Sequence, residues 1–122
     1  MAKRILIVDD SVSMRGMIRS ALRSGSFEVV EAANGPDALT VLDRQEVDLI
    51  ITDVNMPDMD GISLVKAIRH RPATKVTPVL VLTTECGAEL KQAGRAAGAT
   101  GWIVKPFSPQ QLVQVVAKVL PT

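Results

Sequence analysis

Residues 48–61 read DLIITDVNMPDMDG, and how this stretch is parsed decides the fold. An apolar run at residues 49–51 leads to a single carboxylate, Asp53. Beyond it stand Asn55, Pro57, Asp58, Asp60 and Gly61. Asn, Asp and Gly favour turns, and Pro57 would clash inside a helix. The stretch is therefore a buried strand that stops abruptly and presents an acid at its end. In an open parallel sheet, ligands bind just beyond the carboxyl ends of the strands. Asp53 marks that place.

Working outward, the same pattern recurs. Residues 5–8 (ILIV) are wholly apolar and rich in β-branched side chains, as in a strand buried on both faces, and they end in Asp9 and Asp10. Residues 79–82 (VLVL) form another buried strand, opened by Pro78 and closed by Thr83, Thr84 and Glu85. Residues 27–32 are interrupted by Glu28 and Glu31, and residues 101–104 are short. Tolerance of polar residues suits a sheet edge.

Between the strands lie stretches with helical periodicity. Met14, Met17, Ile18, Ala21 and Leu22 form one stripe, with Asp10 or Ser11 as its cap, Arg15, Arg19 and Arg23 on the other face and Gly25 as its stop. Ala38, Leu39, Val41 and Leu42 follow the turn at residues 34–36, and Ile62, Leu64, Val65 and Ile68 follow Asp60 and Gly61. Residues 87–97 should be the weakest and most mobile helix, because Gly87, Gly94 and Gly98 each cost up to ~1 kcal/mol relative to Ala inside a helix. Ser108, Pro109 and Gln111 make a strong start for the last helix, which carries Leu112, Val115, Val116, Val119 and Leu120.

Five strands alternating with five helices predict an α/β fold: a (βα)5 doubly wound parallel sheet of five strands. The first, third and fourth strands are the most apolar and belong in the middle. That ranking fits the flavodoxin-like order 2-1-3-4-5. The 122 residues suit one domain spanning 1–122.

Composition removes several function classes. A net charge of +1 gives no electrostatic case for nucleic acid. Aromatic content of 2% leaves no stacking platform for single strands. The lone Cys86 excludes an internal disulfide and a cysteine zinc cage. No apolar run approaches the ~20 residues of a membrane span, and the opening run is too short and wrongly bounded for a signal peptide, so none is expected. A soluble cytoplasmic protein is expected.

The chemistry follows from the strand ends. The first delivers Asp9 and Asp10, the third Asp53, the fourth Thr83 and the fifth Lys105. Singly, each has a plain explanation: helix caps, a turn acid, a strand-end hydroxyl, a loop lysine. Together, at neighbouring strand ends, they outweigh those explanations. Clustered carboxylates repel unless a cation joins them, and carboxylates with waters suit Mg²⁺. An acidic nucleophile, a divalent cation, an ammonium and a hydroxyl stabilise phosphoryl transfer by position and charge. Asp53, alone on the central strand, is the candidate nucleophile, since carboxylates can form aspartyl phosphate.

With ILIVDDS (5–11), ITDVNMPDMDG (51–61), VLVLTTE (79–85) and GWIVKPF (101–107), the chain resembles the receiver domain of two-component response regulators, in the form of single-domain CheY-like chemotaxis regulators. The resemblance covers essentially the whole chain. It implies that Asp53 is the phosphoacceptor for a histidine kinase. It implies Mg²⁺ held by Asp10, Asp53 and the backbone carbonyl of Asn55, with Asp9 acting through a water. Thr83 and Lys105 would contact the phosphoryl oxygens, Thr83 and Trp102 would form the switch, and Asn55 and Glu85 would tune phosphoryl loss. The bond between Lys105 and Pro106 is cis in many relatives. Trp102 stands where Tyr, Phe or His is usual, and Thr84 where Ala or Gly is common.

By the same resemblance the output surface is the fourth helix, fifth strand and fifth helix, including Lys91, Arg95, Trp102 and the exposed side of residues 108–118. The expected protein is a monomeric binding switch rather than an enzyme, beyond self-phosphorylation from small donors and autodephosphorylation. Its partners would be a kinase, a flagellar motor switch or relay protein and a phosphatase, with neither nucleic acid nor membrane. Three rivals are a stand-alone receiver in another phosphorelay, a Mg²⁺-dependent phosphatase and an unphosphorylated interaction module. The phosphatase would need a second acid where Asn55 stands. The acids, Thr83 and Lys105 speak against the interaction module. A nucleotide site lacks its glycine-rich loop after the first strand.

Overall fold

The computed structural model describes residues 2–84 and 88–120. Its elements run β1 (Arg4–Val8), α1 (Val12–Ser24), β2 (Glu28–Ala32), α2 (Gly35–Arg44), β3 (Leu49–Asp53), α3 (Gly61–Arg69), β4 (Val79–Thr83), α4 (Ala88–Ala97), β5 (Gly101–Val104) and α5 (Pro109–Val119). A 3-10 turn, Pro72–Thr74, follows α3. The strands form one parallel sheet in the order β2-β1-β3-β4-β5. The expected fold and order are thus those observed, with β2 and β5 at the edges. The expected strand over residues 47–53 starts two residues later, because Val47 and Asp48 precede the ladder. Asp48 is spent on Arg4: its carboxylate accepts from the Arg4 amide at 2.8 Å.

Strand alternation sorts the core into two layers. Ile5, Ile7, Leu49, Ile51, Leu80, Leu82 and Ile103 face α1 and α5, where Ile18, Leu22, Leu112 and Val116 meet them. Leu6, Val8, Ile50, Val79 and Val81 face α2, α3 and α4, against Ala38, Leu64, Val65 and Ile68. Because β1, β3 and β4 are apolar at consecutive positions, both faces bury side chains, as covered parallel strands require. Among the described residues no helix is long and apolar enough to cross a membrane.

Local chemistry sets the helix ends. Ser11, not Asp10, caps α1, its hydroxyl accepting from the Met14 amide at 3.1 Å. Gly25 closes that helix with an ordinary φ of −91°, and the next residue, Ser26, takes the left-handed turn at φ 68°. Asp60 caps α3, and Ser108 with Gln111 forms a reciprocal capping box on α5. Gly98, just past α4, has φ +106°, and the stem of Arg69 occupies the space where a Cβ would lie. The Arg69 guanidinium donates to the carbonyls of Gly98, Thr74 and Thr77, tying α3 to the end of α4.

The acids that mark β2 as an edge are not idle. Glu31 is paired with Arg15 at 3.2 Å and Arg19 at 2.6 Å across to α1. Burial alone would raise its carboxyl pKa, but the hydrogen bonds and charges of Arg19 and Arg15 outweigh that and hold it below the usual range. A carboxyl depressed in the fold contributes stability above its unfolded pKa and loses it as pH falls through the folded value. The stability gap between the native chain and Glu31→Gln, followed by urea denaturation, should therefore be full at neutral pH. It should close as the pH drops below about 4.3, the ordinary glutamate value. A gap that widened on acidification would contradict the pairing.

Candidate functional site

Because β1, β3, β4 and β5 are parallel neighbours, their carboxyl ends share one edge of the sheet. Asp53 closes β3 beside Leu82, and Thr83 closes β4 beside Val104. The chain after β1 carries Asp9 and Asp10, and the chain after β5 carries Lys105. One carboxylate oxygen from each of Asp9, Asp10 and Asp53 lies within 4.8 Å of the others. The Lys105 ammonium is 3.2 Å from Asp53 Oδ2 and 3.9 Å from Asp9 Oδ2. The structure thus brings together the three acids and the amine that the sequence placed at the strand ends. Thr83 is fully buried at the neighbouring end.

Asp53 is held on every side. Its Oδ1 accepts from the Val54 amide at 2.8 Å, which fixes the rotamer and leaves Oδ2 toward Lys105. Its own carbonyl accepts from the Thr52 hydroxyl at 3.0 Å. Gly61 passes so near that a Cβ there would stand 2.2 Å from the Asp53 carbonyl oxygen. Only glycine permits that approach, and the Gly61 amide donates to the Val54 carbonyl at 2.9 Å. The turn residues that ended the strand on paper therefore wrap back to clamp the acid. On the other side, the Lys105 amide donates to the Thr83 carbonyl at 2.7 Å, and the Lys105–Pro106 bond is cis.

Asp9 is buried, whereas Asp10 is exposed. Its burial pushes the Asp9 carboxyl pKa up, and Asp53 and Asp10 add to this, while the Ser11 amide and Lys105 pull the other way. Asp9 Oδ1 accepts from the Ser11 amide at 2.9 Å, but among the described residues the buried Oδ2 has no hydrogen-bond partner. An orphaned carboxylate oxygen facing two further acids is the environment a hard cation satisfies. The donor set, all carboxylate oxygens, fits a divalent cation that prefers oxygen.

The remaining candidates are scattered. Asn55 is exposed on the loop after β3, and Thr84 is exposed just past β4. Glu85, Cys86 and Gly87 lie outside the described residues. One participant was missed from sequence: Arg15, read there only as the polar face of α1, donates to the Asp9 carbonyl at 2.6 Å. The available signal was its spacing, one turn from Arg19, with Glu31 as the acid both could reach.

The family model of the response regulator receiver domain matches residues 5–117. A chemotaxis protein CheY homolog from Campylobacter jejuni is 40% identical over 121 residues, covering 98% of this chain and 93% of its own length. The structure of the chemotaxis response regulator CheY4 of Vibrio cholerae superposes with a TM-score of 0.94 at 47% identity, covering 98% of this chain and all of its own. The receiver domain of a sensor histidine kinase from Pseudomonas aeruginosa, with a magnesium ion coordinated in its active-site cleft, gives a TM-score of 0.91 at 26% identity, with both chains covered in full.

Trp102 sits on β5 in the layer facing α4, outside the acid cluster, and packs against Gly94. A Cβ at residue 94 would stand 2.4 Å from Trp102 Cζ3. The glycine that weakened α4 on paper is the slot that admits the indole. Replacing a helical glycine with alanine ordinarily gains about 0.5–1 kcal/mol, whereas overpacking loses about 1–3 kcal/mol. Overpacking should win here. Gly94→Ala should lower stability in urea and red-shift the emission of the single tryptophan as its ring leaves the slot. A stabilised variant with unchanged emission would show that the ring is not confined.

Proposed function

The chain belongs to the response regulator receiver family, and we propose that it accepts a phosphoryl group on Asp53 from a histidine kinase and serves as a chemotaxis switch. Membership makes it a two-component signalling receiver, a switch controlled by phosphorylation. The observation that carries the assignment to Asp53 is its placement, with Oδ2 3.2 Å from Lys105 in a cluster with Asp9 and Asp10.

The residues divide the work by position. The Val54 amide keeps Asp53 in one rotamer, so its carboxylate faces the open end of the sheet. A carboxylate oxygen forms the new O–P bond while the P–N bond of the donor's phosphohistidine breaks, its electron pair returning to the imidazole. Asp10, Asp53 and the Asn55 carbonyl would hold Mg²⁺, with Asp9 acting through a water. Bound there, the ion supplies charge neutralisation for the phosphoryl oxygens. Lys105 can turn from the carboxylate toward the new anion, and the Thr83 hydroxyl can follow from the next strand end. New contacts at the ends of β4 and β5 bias α4, which is joined to β5 by Trp102 in its slot.

The output is binding rather than turnover. No acid stands two residues beyond Asp53, where a leaving group would need one; that position is Asn55. Asn55 and Glu85 are assigned to tuning phosphoryl loss. The proposed target is a flagellar motor switch or relay protein, docking on α4, β5 and α5, with the protein monomeric and cytoplasmic. The chemotaxis names of the Campylobacter and Vibrio relatives support that pathway.

Incubation with acetyl phosphate and Mg²⁺ should add one phosphoryl group by intact mass, and Asp53→Asn should abolish the adduct. An adduct retained in that variant would overturn the assignment. Asp10→Ala should weaken Mg²⁺ binding in calorimetry by more than about tenfold, because loss of even an outer-shell partner of a metal ligand costs 10–100-fold. Unchanged affinity would move the cation elsewhere.

A further inference from the structure

We propose that Arg15 is a positioning residue for the acid pair after β1: anchored by Glu31, its guanidinium holds the Asp9 carbonyl and so sets the aim of Asp9 and Asp10. The inference rests on reading Asp9, Asp10 and Asp53 as the cation site.

The contacts form a clasp across three segments. Arg15 on α1 donates through Nη1 to the Asp9 carbonyl at 2.6 Å and through Nε to Glu31 Oε1 at 3.2 Å. Glu31 is pinned in turn by Arg19, one helical turn further, at 2.6 Å. Glu31 lies opposite Ile7 in the ladder, on the face that α1 covers, so the clasp reaches the end of β1 from the helix side. The Arg15 side chain is only 16% exposed, so this is a packed arm rather than a waving surface charge.

Asp9 is consequently fixed at every polar group but one. Its amide donates to the Ala32 carbonyl at 3.2 Å, its carbonyl accepts from Arg15, and Oδ1 accepts from the Ser11 amide. The exception is Oδ2, which has no hydrogen-bond partner among the described residues and lies 3.9 Å from the Lys105 ammonium, leaving it for the cation. Asp10 is exposed, and its direction follows from the peptide bond that Arg15 grips. Three carboxylates within 4.8 Å push one another apart before any cation arrives, so the segment must be restrained mechanically. A guanidinium suits this task because its planar fork serves two acceptors at once, where an ammonium is a single point charge.

A positive charge near a cation site also acts through its field, and the two effects have opposite signs. As a restraint Arg15 raises Mg²⁺ affinity; as a field it lowers it. Charge-conserving substitution separates them. Mg²⁺ titration by calorimetry on the full chain should show both Arg15→Lys and Arg15→Met binding about threefold to tenfold more weakly, the worth of one hydrogen bond. The shortfall in labelling rate from acetyl phosphate at low Mg²⁺ should close as Mg²⁺ is raised. Glu31→Gln, which loosens the anchor, should fall between them and the native chain. Ile68→Val, which removes a buried methylene from α3, should lower thermal stability yet leave Mg²⁺ affinity unchanged, showing that lost stability alone does not weaken the site. Native affinity in Arg15→Lys, or tighter binding in Arg15→Met, would overturn the proposal and leave a field effect. Failure of the native chain to bind Mg²⁺, or indifference to Asp10→Ala, would instead remove the parent reading and this one with it.

Discussion

The interaction on which the rest depends is a repulsion. Three carboxylates and one ammonium are forced to one edge of a parallel sheet, with formal charges that sum to −2 when all are ionised. Nothing in apolar packing asks for this. The sheet imposes it, because adjacent parallel strands end on the same side and each delivers the residue at its own end. The two-layer core stabilises the fold well enough to hold Asp9 in a buried place where its carboxyl pKa is raised. The architecture therefore stores an unsatisfied demand for positive charge, which the Lys105 ammonium meets in part and a divalent cation would complete.

Backbone contacts, more than side-chain pairs, keep the acids from relaxing away from one another. Asp53 is gripped through its carbonyl by Thr52 and by the close pass of Gly61, and through Oδ1 by the Val54 amide. Asp9 is gripped at its amide, its carbonyl and Oδ1. In both cases one carboxylate oxygen is committed to the backbone and the other is left for chemistry. A site restrained in this way is preorganised, since little rearrangement is needed when charge arrives.

The strand pattern, the two edges and the residues at each strand end could all be read from the chain. They follow from local rules: apolar runs that stop at turn residues, and helices with capping signals. Asp53, Asp9, Asp10 and Lys105 could be placed because a strand end has a fixed side in a parallel sheet. The contacts of Arg15, Glu31, Gly94 and Arg69 could not. Each depends on which helix face meets which strand and at what distance, and no spacing rule within one segment encodes that. Glu31 looked like a sign of an edge strand and is one, but its partner is two turns of a different element. Gly94 looked like a weakness of α4, and only the position of Trp102 shows what its missing side chain makes room for.

That last pair bears on how a signal could leave the site. The end of α4 is fastened to α3 through Arg69, which bonds the Gly98 carbonyl and two carbonyls near the 3-10 turn. The middle of α4 meets β5 where an indole fits against a glycine, and among the described residues the indole nitrogen is buried without a hydrogen-bond partner. Apolar packing of Leu90 and Ala97 adds to these restraints, and the Trp102–Gly94 slot couples the helix to β5. In the chain α4 follows β4, whose last residue, Thr83, closes the strand beside Val104 of β5. A shift at the strand ends can thus reach α4 through the Trp102–Gly94 slot, where no hydrogen bond from the described residues holds the indole N–H.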